Sequence, residues 1–281
     1  HPCGLTQVGL VLVGALILAH ERASLGRVSH AVIPYLVPVA AITIGLVLAG
    51  HDLGTALVLI GIVGAVMYAA GVPGRLFATA AVGAALLATA LVVTSSNRMD
   101  RIGNWLSGSC TDPNGECGQS VHGLYALADG GWWGVGLGAS KEKWSWLPEA
   151  HNDFIFAIIG EELGLPGTFV ILALFALLAS ACYRIVTRST DQFVRIAAAG
   201  AMAWILFQAM INIGAVIGLL PVIGVPLPFV SAGGSALVTT LVAMGMLVSF
   251  ARAEPGAAEI LAARPGVIQR SLAVLPRRRA R

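Results

Sequence analysis

Leu53-Gly-Thr-Ala-Leu-Val-Leu-Ile-Gly-Ile-Val-Gly-Ala-Val-Met-Tyr-Ala-Ala-Gly71 contains no charged side chain. As a helix it would extend about 28 Å, close to the roughly 30 Å hydrocarbon core of a bilayer. Six further apolar runs read the same way: Leu5 to Ala19, Val32 to Ala49, Leu76 to Val93, Leu163 to Cys182, Val194 to Leu220 and Leu227 to Phe250. Each must be helical, because an open strand in lipid leaves backbone groups unpaired at several kcal/mol apiece. Over all 281 residues, 57% are apolar or aromatic and 11% charged, against about a quarter charged in soluble domains. The expected fold class is therefore an all-α polytopic membrane protein with about seven transmembrane helices. A net charge of +3 is too small to suggest nucleic acid as a partner.

Seven crossings put the segments after runs one, three, five and seven on one side. Those segments hold 13 of the 17 basic residues, including Arg184, Arg188, Arg195, Arg252 and the terminal Arg277-Arg-Arg-Ala-Arg281. The positive-inside rule makes that side, with the C-terminus, cytoplasmic. The loop at about 94–152 is then extracytoplasmic, and residues 253–281 read as a basic tail without fixed structure, resting on anionic lipid. An outside start without Met suggests the latter part of a longer protein.

Ten of the fourteen carboxylates fall on or near the external face. Asp112, Glu116, Asp129 and Glu142 read as solvated loop charges. The stretch Trp144-Ser-Trp-Leu-Pro-Glu-Ala-His-Asn-Asp153-Phe-Ile-Phe-Ala-Ile-Ile-Gly-Glu161-Glu162 is different. Its tryptophans suit the headgroup layer, and Asn152 or Asp153 is expected to open a helix. On such a helix Asp153 and Glu161, eight residues apart, lie about 80° apart and share one half. A carboxylate beside lipid is a functional-site candidate, whereas an Asp at a helix start also serves as a cap; spacing leaves both readings open. Gln208 and Asn212, at i and i+4, suit interhelical hydrogen bonding. The Pro- and Gly-rich Gly218 to Ser235 cannot be one straight helix, and reads as an external turn or re-entrant piece carrying Ser231 and Ser235. Gly134-Val-Gly-Leu-Gly138 lacks the dinucleotide fingerprint. His122, His151 and Asp153 match no metal-ligand spacing, and an external Cys110–Cys117 disulfide is slightly favoured over free thiols.

Four stretches, in combination and order, resemble the SEDS family of bacterial cell-wall proteins (FtsW, RodA and SpoVE). They are Asp52-Leu-Gly-Thr-Ala-Leu-Val-Leu59, Leu124 to Ser140, Lys143 to Gly164, and Gly218-Leu-Leu-Pro through Ser231-Ala-Gly-Gly-Ser235. Residues 1–252 form one transmembrane domain on this view, corresponding to spans four to ten of a ten-span fold. Ala150 favours the FtsW branch. The resemblance implies polymerisation of lipid II at the outer face of the plasma membrane during cell division, with Asp153 as the essential carboxylate. Candidates for substrate contact are Asp52, Arg98, Arg101, Lys143, Glu149, His151, Glu161, Gln208, Asn212, Ser231, Gly233, Gly234 and Ser235. No tightly bound cofactor is implied beyond a magnesium or manganese ion accompanying the substrate pyrophosphate. The implied partners are lipid II, a class B penicillin-binding transpeptidase, other divisome proteins and membrane lipid.

The chain also departs from the family pattern. Gly4 and Gln7 stand where relatives usually carry Glu and Lys, Gly50-His51 replaces Gln-Pro, His122 replaces Gln, and Ala232 replaces Tyr. Loss of that acid–base pair makes a catalytically weak, partner-binding scaffold an alternative to the enzyme; a lipid II flippase is another, weakened by the few intramembrane charges.

Overall fold

The computed structural model describes residues 3–20, 33–93, 116–145, 147 and 149–254, and singly Met99, Gly103 and Ala257. Nine helices and no strand occur among these residues: α1 (Cys3–His20), α2 (Ile33–Ala49), α3 (Leu53–Ala70), α4 (Gly74–Val93), α5 (Glu116–Gly130), α6 (Glu142–Ser145), α7 (Ile155–Arg188), α8 (Gln192–Val216) and α9 (Gly234–Arg252). Each of the seven apolar runs coincides at least in part with one of these helices. α3, α7, α8 and α9 are long and apolar enough to cross a membrane, and α2 is a shorter apolar helix. The chain is an all-α polytopic membrane protein.

Local chemistry sets the helix boundaries. Asp52 caps α3 by accepting from Thr55 N at 2.9 Å, and Asp191 caps α8 by accepting from Phe193 N at 2.8 Å, each satisfying an N–H that the first turn leaves unpaired. In α2 the stretch Leu36–Ala41 is π-helical, around Pro38, which has no N–H for the regular ladder. Two of the expected runs need correction. Leu227 to Phe250 is helical only from Gly234, because Pro226 and Pro228 cannot donate ladder bonds. Val194 to Leu220 ends as a helix at Val216.

α1, α3 and α8 form the main core, where Val11, Leu59, Ile62, Val66, Ile196 and Ile205 are fully buried. Lipid competes for apolar side chains, so close approach rather than hydrophobicity joins these helices. A Cβ on Gly200 of α8 would lie 2.7 Å from Val66 of α3, a contact that only glycine permits. A second cluster, built on Phe154, Phe156, Ala157, Val216 and Leu227, gathers the start of α7, the end of α8 and the segment between α8 and α9. It lies at the end of the bundle opposite Arg184, Arg188 and Arg195.

α7 has 34 residues, about 51 Å at 1.5 Å each, so part of it must stand outside the roughly 30 Å hydrocarbon layer. It kinks at Gly164 (φ 68, ψ −161), two residues before Pro166. Pro166 has no N–H for the carbonyl of Glu162, so Gly136 N donates to it instead, at 3.0 Å. Val135 N likewise donates to Glu161 O at 2.9 Å, and Leu165 N turns to Gly131 O at 3.2 Å. The glycine-rich segment 130–138 thus supplies the bonds that the kink removes. Gly130 and Gly134 are required by contact, since a Cβ would lie 2.0 Å from Gly160 O and 2.2 Å from Glu162 O, respectively.

Candidate functional site

The residues before α7 form a turn. Asn152 N and Asp153 N both donate to Glu149 O, at 2.9 and 3.1 Å, and Asn152 Nδ2 donates to Glu149 Oε2 at 2.6 Å. Phe154, not Asp153, is the N-cap residue of α7, and it makes no side-chain cap bond. The expectation that Asp153 or Asn152 opens the helix is therefore corrected, as is the shared helical half with Glu161. Asp153 lies in the turn that precedes α7, with its N–H donated to Glu149 O.

This turn is stitched to the segment between α8 and α9. Ser231 Oγ donates to Asn152 O at 2.6 Å and accepts from Leu227 N at 2.7 Å, while Ala232 N donates to His151 O at 3.0 Å. From α8, Asn212 Nδ2 donates to both Asp153 O and Val225 O at 2.7 Å. Gln208 Nε2 donates to Pro226 O at 2.9 Å, and its Oε1 accepts from Trp204 Nε1 at 2.8 Å. Asn212, Gln208 and Ser231 thus use their side chains to hold irregular backbone, pairing buried carbonyls that no helix ladder reaches. The i, i+4 amides were expected to join helices; they join a helix to two loops.

A cavity of about 290 Å³ opens against the turn. Asp52, Glu149 and Asp153 line it, with Asn152, Gly233 and Ser235 beside them and Gln7, Val58, Trp204 and Thr240 contributed by the helices. Trp204 lies twelve residues before the end of α8, about 18 Å along its axis, so the cavity reaches into the membrane-spanning part of the bundle. Asp153 accepts no side-chain hydrogen bond from the described residues. Burial pushes its carboxyl above the ordinary value of 3.8, and the negative charge of Glu149 pushes it the same way. Gly224 (φ +71) gives it room, since a Cβ there would lie 3.3 Å from Asp153 Oδ2. Asp52 is more engaged: beyond its backbone cap, its Oδ2 accepts from Thr55 Oγ1 at 2.6 Å.

Backbone strain points to the same place. Among the described residues, the non-glycine positions with positive φ are His51 (62°), Glu149 (54°) and Phe229 (66°). Such conformations cost on the order of 1–3 kcal/mol each and concentrate at functional sites. His51 adjoins Asp52, Glu149 lines the cavity, and Phe229 lies in the segment that walls it.

Glu161 belongs elsewhere. It is fully buried, and its carboxylate accepts from Ser140 Oγ at 2.5 Å and Lys141 N at 2.7 Å, tying the glycine-rich segment to α7. Lys143 pairs with Glu162 and covers the ring of Trp144. His151 is exposed, and Gly234 starts α9 outside the cavity lining. Arg98, Arg101 and Cys110 lie outside the described residues, as does the side chain of Cys117, and with them the expected disulfide. Among the described residues no three His, Cys, Asp or Glu side chains are grouped to hold a metal ion. Trp204, Gly224, Thr239 and Thr240 were not foreseen as lining residues; their sequence positions are those of ordinary span and turn residues.

Comparison with known proteins agrees with the motifs. The family model described as cell cycle protein (FtsW/RodA/SpoVE) matches residues 1–255. The chain is 42% identical over 263 residues to the probable peptidoglycan glycosyltransferase FtsW of Mycobacterium tuberculosis, covering 94% of this chain and 50% of that protein. It is 39% identical over 201 residues to stage V sporulation protein E of Bacillus subtilis, covering 72% and 55%. A solved structure described as structural coordination of polymerization and crosslinking by a peptidoglycan synthase complex superposes with a TM-score of 0.70 at 26% identity, covering 89% of this chain and 70% of that one. The chain spans about half the length of these two curated relatives. With a match over nearly all its membrane-spanning length, this chain belongs to the FtsW/RodA/SpoVE family of cell cycle proteins.

Proposed function

We propose that the protein carrying this chain is a peptidoglycan glycosyltransferase that polymerises lipid II at the outer face of the plasma membrane during division, with Asp153 as general base. The observation that carries this reading is the state of Asp153: a carboxylate facing a cavity, held by backbone clamps, raised in pKa and hydrogen-bonded by no described residue. A raised pKa makes a carboxylate a better proton acceptor. In the reaction, an acceptor hydroxyl gives its proton to Asp153 as its oxygen bonds to the anomeric carbon. The bond from that carbon to the pyrophosphate oxygen breaks on the opposite face, and undecaprenyl pyrophosphate leaves with the electron pair.

Lys141 is exposed beside the glycine-rich segment, and with Arg98 and Arg101 it is our candidate for the leaving phosphates. A magnesium or manganese ion would arrive with the substrate. The charge asymmetry supports a cytoplasmic C-terminus and an external 94–152 loop. The name of the matched synthase complex supports a class B penicillin-binding partner, with other divisome proteins around it. The test is polymer formation from lipid II by the purified protein with its cognate transpeptidase. Polymer that disappears in Asp153→Asn supports the enzyme; translocation of labelled lipid II in liposomes without polymer supports a flippase; partner binding with neither activity supports a scaffold.

A further inference from the structure

A second, much smaller cavity lies against the turn that carries Asp153, about 10 Å³ in volume where the larger one is about 290 Å³. Asp153, Gly224 and Val225 line both cavities, so these residues form the partition between them. Apart from Asp153 and Asn212, the lining of the small cavity is apolar. One atom in this wall lacks a partner. Asn212 is 2% exposed, and its Oδ1 accepts no hydrogen bond from any described residue. Turning the amide over does not help, because Nδ2 already donates to two carbonyls, Asp153 O and Val225 O, at 2.7 Å each. In the reversed orientation Oδ1 would face those two acceptors.

Buried polar atoms in folded proteins are paired, with protein or with ordered water. The donor that Oδ1 lacks must therefore come from the space its own residue lines, and size selects it. A volume of about 10 Å³ is what one water molecule needs, roughly 10–15 Å³ on this measure. A divalent cation would call for about six ligands, and only two polar residues are at hand. A buried water needs at least two polar partners. The second is Asp153, whose Oδ2 would lie 3.3 Å from a Cβ on Gly224, in the shared partition. We propose that the small cavity holds one buried water that donates to Asn212 Oδ1 and to the Asp153 carboxylate, making Asn212 a positioning residue for the base. Nδ2 holds the backbone of Asp153 directly, and Oδ1 holds its carboxylate through the water. The water site rests on the unpaired oxygen and the cavity; its service to a base rests on the polymerase reading.

A hydrogen bond donated to a carboxylate favours its ionised form. The water thus opposes burial and the repulsion of Glu149, which both raise the Asp153 carboxyl. Other charges facing Asp153 are few: Glu149 in its own turn and Asp52 at the start of α3. The residues that α1, α8, α9 and the 217–233 segment contribute to the two cavities are neutral.

The experiment has two readouts, and neither requires turnover. A high-resolution crystal or cryo-electron structure of the detergent-purified protein should show an ordered water in hydrogen-bonding reach of both Asn212 Oδ1 and an Asp153 carboxylate oxygen. Infrared titration then follows the Asp153 carboxyl band, assigned by its loss in Asp153→Asn. In Val222→Ile the added methylene takes up the small cavity, since its volume is close to the roughly 30 Å³ share of one water, and the band should titrate at higher pH than in the wild type. Val222→Ala leaves the water its room and should not raise it. Should Val222→Ile lose helicity by circular dichroism, Val216→Ile, which fills the same cavity from α8, replaces it with the same expectation. No ordered water at this position, a protein donor on Asn212 Oδ1, an unmoved titration in the folded filling variant, or an equal rise in Val222→Ala would overturn the site. Polymer formation is measured separately, so a protein that shows both readouts but makes no polymer refutes the polymerase reading and leaves the water site standing.

Discussion

Asp153 and Glu161 are eight residues apart in one stretch, both acidic and both at the end of the bundle opposite Arg184 and Arg188, and the fold uses them in opposite ways. Glu161 is sealed, with both oxygens paired to the segment that mends the α7 kink. Asp153 has its backbone clamped by Asn212 and its carboxylate facing a cavity. A saturated carboxylate is a structural fastening. One that is desolvated and unpaired retains the capacity to take a proton. The difference lies in what neighbours offer, and it can be tested from both sides.

The largest effect is expected at the open carboxylate. Asp153→Asn should lower polymer formation by roughly 10²- to 10⁴-fold, the usual contribution of a general base, with the thermal unfolding midpoint unchanged. A variant that still polymerises at the wild-type rate would end the distinction. Glu161→Leu should do the reverse, leaving Ser140 Oγ and Lys141 N without their acceptor at about 1–3 kcal/mol. It should appear as a lower unfolding midpoint in detergent, with turnover per folded molecule largely kept.

Gly224→Ala sharpens the contrast, because it touches Asp153 without removing it. The positive φ disfavours any side chain, and the added methyl presses on Oδ2, so we expect kcat to fall about tenfold, on the order of 1.4 kcal/mol. The smallest effect concerns pH. The acid limb of kcat/KM reports ionisation of the free base. Burial, the larger cause of the raised pKa, persists in Glu149→Gln, whereas the repulsion by Glu149 is lost. The limb should therefore move to lower pH and stay above 3.8. A shift to higher pH would contradict the assigned repulsion.

Helical membrane architecture was legible in the chain because it depends on length and apolarity, which are additive along a run such as 53–71. The Pro-rich break before Gly234 was equally local, whereas Asp52, expected as a substrate contact, is seen to cap α3 only in the structure. The motifs around Asp153 and Ser231 marked the stretches that matter, yet not the division of labour within them. Treating 153–161 as one helix placed Asp153 beside Glu161, and only the Glu149 turn separates them. Gln208, Asn212 and Ser231 look like substrate contacts in a sequence; their partners are backbone carbonyls 18, 59 and 79 positions away. Composition and periodicity determined that the chain spans a membrane as helices, since each backbone must pair within its own segment in lipid. Which carboxylate remains unpaired was decided by tertiary packing, because a hydrogen bond requires two groups that only folding brings together.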